Sequence, residues 1–252
     1  ETGNASSSFL KKARRHYAKT RKDLDELAAP DRRTVHPQYV ARVLDEAASE
    51  DAVFLPDVGS PVVWAARYLT MNGRRRIIGS MTHGSMANAV TQAIGAQAVD
   101  RTRQVVAMAG DGGLAMMLGE LLTFVQNGLP VKTLVFDNDS LNFVELEMKA
   151  AGLVPYATDL QNPDFAAVAE AMGLKGFRVE RSKDLPAVMA EFLAHEGPAL
   201  LVVKTERQEL TIPPSIEFEQ AKGFALYAMR TVLDGKGTKL LDLAKANLRQ
   251  LF

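Results

Sequence analysis

Short apolar runs at 52–55, 76–78, 104–108, 131–136, 176–179 and 199–204 alternate with stretches of helical spacing, and this alternation restricts the fold more than any other feature of the chain. Runs that are apolar throughout read as strands buried on both faces. With helices between them they imply an α/β fold, a doubly wound and mostly parallel sheet with helices on both faces. Ligands on such sheets bind beyond the carboxyl ends of the strands. The residues that end each run are therefore the first candidates for a site.

The helical stretches differ in character. Residues 9–27 are charged, with Lys and Arg crowded into the first half, which reads as a solvated helical face closed by Ala29-Pro30-Asp31. Residues 37–49 place Tyr39, Val40, Val43 and Leu44 on one stripe. Asn162-Pro163 supplies a cap and a first-turn proline for a helix over 163–172, which Gly173 ends. The alternation stops near residue 206. The expected division is a helix and linker over 1–34, a cofactor-binding α/β domain over 35–206, and an extension with an amphipathic helix over 207–252.

Two runs end on groups that suit a metal and an anion. Gly110-Asp111-Gly112-Gly113 follows the third run and Asp137-Asn138-Asp139 ends the fourth. The Asp111 carboxylate, the Asn138 amide carbonyl and a backbone carbonyl just beyond it, that of Ser140, are hard oxygen donors of the kind Mg²⁺ takes in an octahedron. The glycines would let the backbone approach a diphosphate with no Cβ in the way. An apolar helix over 114–127 would aim its positive end at that anion. Taken alone, the same motif is equally an ordinary strand-to-helix turn with Asp111 as a cap.

This arrangement, with Glu120-Leu121 and Leu129-Pro130-Val131 between its halves, resembles the signature of thiamine diphosphate enzymes. Asp57-Val58-Gly59-Ser60-Pro61 and Trp64-Ala65-Ala66-Arg67-Tyr68 are similar to that family's first cofactor loop and helix. Gly84-Ser85-Met86, ahead of Ala93-Ile94-Gly95-Ala96, is similar to the turn that holds the aminopyrimidine. Ile212-Pro213-Pro214 and Glu219-Gln220-Ala221-Lys222-Gly223-Phe224 resemble the tail of the pyruvate oxidase branch, specifically the membrane-associated, quinone-reducing pyruvate dehydrogenases of bacteria. The resemblance covers nearly all of the chain after about Phe9.

The resemblance implies roles residue by residue. The Gly84 carbonyl would accept a hydrogen bond from the cofactor's amino group, and Met86 would prop its two rings into a V. Asp57, Gly59, Ser60, Ser85, Gly110, Gly112 and Gly113 would contact the cofactor, and Asp111, Asn138 and Ser140 would hold Mg²⁺. Phe143, Val144 and Glu147 would line the substrate end. Asp137 stands where the family commonly has asparagine, and Ala87-Asn88-Ala89 where many relatives carry more glycine. Asn142 replaces a glycine, and its tolerance of left-handed backbone is expected to preserve the turn.

The resemblance also implies parts outside these 252 residues. A glutamate from a pyrimidine-binding domain, usually of a neighbouring subunit, and a central FAD domain would lie upstream. A chain that begins at Glu1 is accordingly expected to be the C-terminal part of a larger homo-oligomeric flavoenzyme, a dimer or tetramer, and inactive by itself. The implied reaction is oxidation of pyruvate to acetate and CO₂ with electrons passing through FAD to a membrane quinone. The implied location is the cytoplasm, with peripheral contact at the inner face of the cell membrane. The alternatives are an acetolactate synthase-like enzyme, a non-oxidative 2-keto acid decarboxylase, and a binding module that keeps the fold without the chemistry.

Composition excludes other classes. Thirty basic and thirty acidic residues cancel, and the basic residues do not interleave with aromatics, so nucleic acid is not an expected partner. With no cysteine, disulfide and thiolate chemistry are excluded. No stretch nears the roughly 20 apolar residues of a spanning helix. No Ser/His/Asp triad, zinc spacing or Walker motif is present, and His83 beside the Gly84 turn reads as structural. In the tail, Leu240, Leu241, Leu243, Ala244, Leu248, Leu251 and Phe252 gather on one helical side, interrupted by Asn247. Pattern alone favours a helix packed on its own domain. The resemblance adds contact with a bilayer.

Overall fold

The computed structural model describes residues 7–30, 34–207, 209–210, 218–235 and 237–251. Six strands, β1 (Val53–Pro56), β2 (Arg76–Ile77), β3 (Val105–Gly110), β4 (Lys132–Asp137), β5 (Lys175–Val179) and β6 (Ala199–Lys204), form one sheet in the order β2-β1-β3-β4-β6-β5. Every pairing is parallel. This is the doubly wound architecture the alternation implies. From β1 the chain moves outward to β2, then returns to β3 and builds in the other direction. The winding therefore reverses between β1 and β3, and a crevice opens at their carboxyl ends.

The helices are α1 (Ser7–Leu27), α2 (Pro37–Ala47), α3 (Ser60–Tyr68), α4 (Asn88–Val99), α5 (Asp111–Met116), α6 (Leu121–Gln126), α7 (Asn142–Ala150), α8 (Phe165–Ala171), α9 (Leu185–Ala194), α10 (Phe218–Leu233) and α11 (Gly237–Leu251). Helices α2, α3 and α9 cover one face of the sheet, and α4, α5, α6 and α8 the other. Side chains alternate between these layers along each strand: Phe54, Met108, Phe136 and Val203 face the first, Leu55, Ala107, Val135 and Val202 the second. Ala28 and Val35, which flank the expected 34/35 boundary, are both fully buried in the first layer.

Three local expectations are corrected. The helix expected over 114–127 is broken: α5 ends at Met116, a 3₁₀ turn spans Leu118–Glu120, and α6 begins at Leu121. Gly119 in that span weakens a continuous helix, and the break lets Leu114, Leu121 and Phe124 all be fully buried. The helix expected from Pro163 begins at Phe165, because Asp164 is the cap and accepts from the Ala167 N–H at 3.1 Å. Asn162 is thereby released for another task. Finally, Asn142 lies inside α7, and the left-handed backbone falls instead on Asp139, at φ 55.

Helix α10 packs on α7, and α11 on α10. Gly223 permits the first contact, since a Cβ there would lie 1.7 Å from the Ala150 carbonyl oxygen. In α11 the inner face is Leu240, Leu243 and Asn247. Asn247, expected to interrupt an apolar side, is instead the buried anchor: it accepts from the Leu210 N–H at 2.8 Å and donates to the Leu243 carbonyl at 2.9 Å. Leu241 points outward, 61% exposed, and Met229, Val232 and Leu233 of α10 are also exposed. The side chains of Leu248, Arg249 and Leu251, with Phe252 and Ile212-Pro213-Pro214, lie outside the described residues. Among the described residues no helix is long and apolar enough to cross a membrane.

Candidate functional site

A pocket occupies the crevice where the winding reverses. The loop after β1 supplies Asp57, Gly59 and Ser60, the turn before α4 supplies Met86, and the β3–α5 junction supplies Gly110, Asp111 and Gly113. Asn138, Ser140, Phe143 and Val144 come from the β4–α7 connection. The structure thus brings together eleven residues singled out from the sequence. Gly84 and Ser85 stand on the exposed turn next to Met86, outside the pocket wall. Gly112 lies behind the wall. Glu147 is exposed on α7 and does not line the pocket either, whereas Glu145 on the same helix is buried.

The local geometry explains several residue types. Gly59 sits at φ 116, a conformation that favours glycine, and turns the chain into α3. Ser60 donates from its hydroxyl to the Asn142 side-chain Oδ1 at 3.1 Å, and the Asn142 side-chain amide donates to the Arg207 backbone carbonyl at 2.8 Å. These bonds tie three connections together behind the pocket. Ala87, at φ 64, carries the strained turn ahead of α4. Met86 is held at the pocket mouth by that turn, and His83 lies exposed on it.

The glycines of the Asp111 motif act differently from the sequence reading. A Cβ on Gly113 would lie 1.7 Å from Asp57 Oδ2, and one on Gly112 would lie 2.6 Å from Leu141 Cδ2. Their missing side chains allow protein to approach protein. Gly110 has only ordinary contact, with Pro61, at its Cβ position. Asp57 likewise turns inward: its Oδ1 accepts from the Asn88 N–H at 3.0 Å, while the Val58 N–H donates to Asn88 Oδ1 at 3.3 Å. Its carboxylate clamps the first loop to α4.

Asp111 is the group that fits a cation. It is buried, and its partners are neutral donors: the N–H of Gly112 at 2.9 Å, the N–H of Asn138 at 3.2 Å and the Asn162 side-chain amide at 2.8 Å. Lys204 stands close by but pairs with Asp137 at 2.9 Å and Asp139 at 3.0 Å. No cationic side chain pairs with Asp111 among the described residues. The single Lys204 charge is shared by Asp137 and Asp139 and offsets one of the two, while Asp111 has no cationic partner among the described residues. Among the described residues no cluster of three His, Cys, Asp or Glu side chains could hold a metal. The donors expected from the sequence are instead one carboxylate, the Asn138 amide oxygen, which also accepts from the Ser140 N–H at 3.1 Å, and the Ser140 carbonyl, a set that would suit a hard ion that also takes phosphate oxygens and water. Ser140 turns its hydroxyl away, donating to Glu145 Oε2 at 2.7 Å. Although burial alone would raise Glu145, the Lys149 ammonium and the hydrogen bonds from Lys149 and Ser140 hold it below the usual range.

Sequence reasoning missed the donors around these ligands. Asn162 reaches Asp111, Asp137 and Asp139 from a distant part of the chain. Leu141, Thr205 and Glu209 also line the pocket, beside Trp64 of the helix that the resemblance named. Glu209 is buried and hydrogen-bonded to His36 and Gln38.

Burial pushes both Asp57 and Asp111 up to about 6, against hydrogen bonds that pull them down. A carboxyl raised on folding binds its proton more tightly in the folded state. Its contribution to stability is therefore present at low pH and lost as pH rises through about 6, by about 3 kcal/mol per group. The ligand-free protein is expected to lose that contribution between about pH 4 and pH 7, and Asp57→Asn to show a shallower fall. Thermal melting across that range checks it, and an unchanged pH slope in the variant would count against the assignment.

Residues 57–203 match the family model described as the thiamine pyrophosphate enzyme C-terminal TPP binding domain. The chain belongs to this family. YdaP of Bacillus subtilis, whose name states the cofactor and no reaction, is 35% identical over 92% of this chain and 39% of its own length. The mitochondrial acetolactate synthase catalytic subunit of Saccharomyces cerevisiae is 34% identical over 71% of the chain and 27% of its own length. An acetolactate synthase of Mycobacterium bovis is 35% identical over 62% of the chain and 26% of its own length. The chain of this thiamine pyrophosphate-enzyme domain therefore spans well under half the length of the relatives it matches.

Proposed function

We propose that this chain is the diphosphate-binding part of a flavin-containing enzyme that oxidises pyruvate to acetate and CO₂ and passes the electrons to a quinone. When bound, thiamine diphosphate supplies the nucleophilic carbon and the electron sink for 2-keto acid decarboxylation. Asp111, Asn138 and the Ser140 carbonyl would hold Mg²⁺, and Lys204 offsets one of the two charges that Asp137 and Asp139 place beside them. Met86 at the mouth supports the cofactor's bend, with the Gly84 carbonyl available to its amino group. Phe143 and Val144 exclude water from the substrate end. The proton-transfer glutamate and the facing wall come from a pyrimidine-binding domain, and FAD from a further domain, so the chain alone does not turn over pyruvate.

The single observation that carries the site reading is Asp111, a buried carboxylate with neutral partners facing a pocket at the reversal of the sheet. The C-terminal extension supports the oxidative branch, because α10 opens with the segment Glu219–Phe224 that resembles quinone-reducing relatives. The identity to several acetolactate synthases keeps that chemistry as the second reading. Anaerobic addition of pyruvate to the full-length protein is expected to bleach the flavin with release of acetate and CO₂. Acetolactate formation without net flavin reduction would replace the first reading with the second.

The tail reading follows from the same branch. Leu241 of α11 and Met229, Val232 and Leu233 of α10 offer exposed apolar side chains for a shallow interfacial contact. Full-length protein reduced by pyruvate is expected to co-sediment with anionic liposomes, and a version truncated after Gly237 to do so weakly. Equal sedimentation of both versions would assign α11 a packing role only.

A further inference from the structure

We propose that Asn162 is a positioning residue that confines Asp111 to one oxygen toward the metal and so favours Mg²⁺ over Ca²⁺ at this site. The inference rests on the reading of Asp111 as a metal ligand. Asp111 Oδ2 accepts from the Asn138 N–H at 3.2 Å and from the Asn162 amide at 2.8 Å, whereas among the described residues Oδ1 accepts only from the Gly112 N–H at 2.9 Å. A carboxylate oxygen has about two lone-pair sites. Those of Oδ2 are filled by protein donors, which leaves Oδ1 as the oxygen able to turn toward a cation.

That asymmetry matters because the two ions differ in what they accept. Mg²⁺ is small and demands a near-ideal octahedron, whereas Ca²⁺ takes more oxygens in a flexible shell and readily uses both oxygens of one carboxylate. Holding Oδ2 away from the metal denies Ca²⁺ the second oxygen and costs Mg²⁺ nothing. A neutral amide is the right group for this. A lysine or arginine in its place would fix the carboxylate but cancel the charge that attracts the ion.

The amide is itself held. The same Asn162 nitrogen lies 2.8 Å from Asp137 Oδ1 and 3.3 Å from Asp139 Oδ1, and both of these carboxylates are paired with Lys204. Asp164, not Asn162, caps α8, so the Asn162 side chain has no competing helical role.

The test compares thiamine diphosphate binding to the full-length protein by calorimetry in Mg²⁺ and in Ca²⁺, for the unsubstituted protein and for Asn162→Ala. Loss of an outer-shell partner typically costs about 10- to 100-fold in metal affinity. The expected result is a fall of about 10-fold in the Mg²⁺-over-Ca²⁺ preference, since Ca²⁺ gains an oxygen as Mg²⁺ loses its fixed ligand. An equal loss with both ions would mark Asn162 as merely structural and overturn the proposal. If Asn162→Ala does not fold, a crystal structure of the unsubstituted protein with Ca²⁺ and thiamine diphosphate decides. One Asp111 oxygen on the ion supports the proposal, and two overturn it. Binding by the unsubstituted protein that needs no divalent ion would overturn the metal reading and this inference with it.

Discussion

Asp111→Ala is expected to lower the affinity of the full-length protein for thiamine diphosphate in Mg²⁺ on the order of 100-fold or more. The substitution removes the charged donor that offsets the diphosphate. Removing Mg²⁺ with a chelator should produce a similar loss in the parent protein and little further loss in the variant, because both act on one contact. Asp111→Asn separates this effect from folding, since it keeps the shape and an acceptor for the Asn162 and Asn138 donors. Its melting temperature at neutral pH should not fall below that of the parent, since the neutral amide is spared the burial cost of the carboxylate, while its cofactor affinity falls. Calorimetric titration gives the answer, and metal-dependent binding of normal strength in Asp111→Asn would remove Asp111 from the site.

Gly113→Ala is expected to be the most destabilising small substitution in the pocket wall. The new methyl group would lie 1.7 Å from Asp57 Oδ2. Asp57 cannot step aside freely, because it is buried and held by the Asn88 N–H. Relief requires moving α5 against β1, at a cost of about 3 kcal/mol or more. For a protein of this size that corresponds to a melting temperature about 6–12 °C lower. Gly119→Ala is the control, since nothing lies within 4 Å of its Cβ position. Equal melting temperatures for the two variants would show that the contact is easily relieved.

The fold was legible because burial on both faces writes itself into a strand as an unbroken apolar run. The ends of those runs also disclosed Asp111 and Asn138. Other features depended on contacts that no local pattern carries. Asn162 reaches Asp111 across 51 positions of sequence, and its Asn-Pro pairing imitates a helix cap. The signal that could have revealed it is Asp164, a second cap candidate that makes the first one redundant. Gly113 was read as making room for phosphate because the sequence names a missing side chain without naming what fills the space. Asn142 was assigned a left-handed turn by analogy with a glycine, but the helix begins one residue earlier than that analogy requires, and Asp139 takes the turn. The break after α5 escaped notice because its apolar residues stay in phase with a continuous helix.

The turn that carries Met86 hangs from the least anchored part of the sheet. Strand β2 pairs with β1 through only two residues, Arg76 and Ile77, and residues 81–86 are all exposed. The donors at Asp111 and Asn138, by contrast, sit at the ends of central strands bonded on both sides. Opening of the molecule should therefore be uneven around one pocket, with backbone amides near 80–86 exchanging with solvent long before those of β3 and β4. One half of the site is a fixed frame and the other is a movable arm, and a ligand that spans both would slow exchange most where the protein alone resists it least.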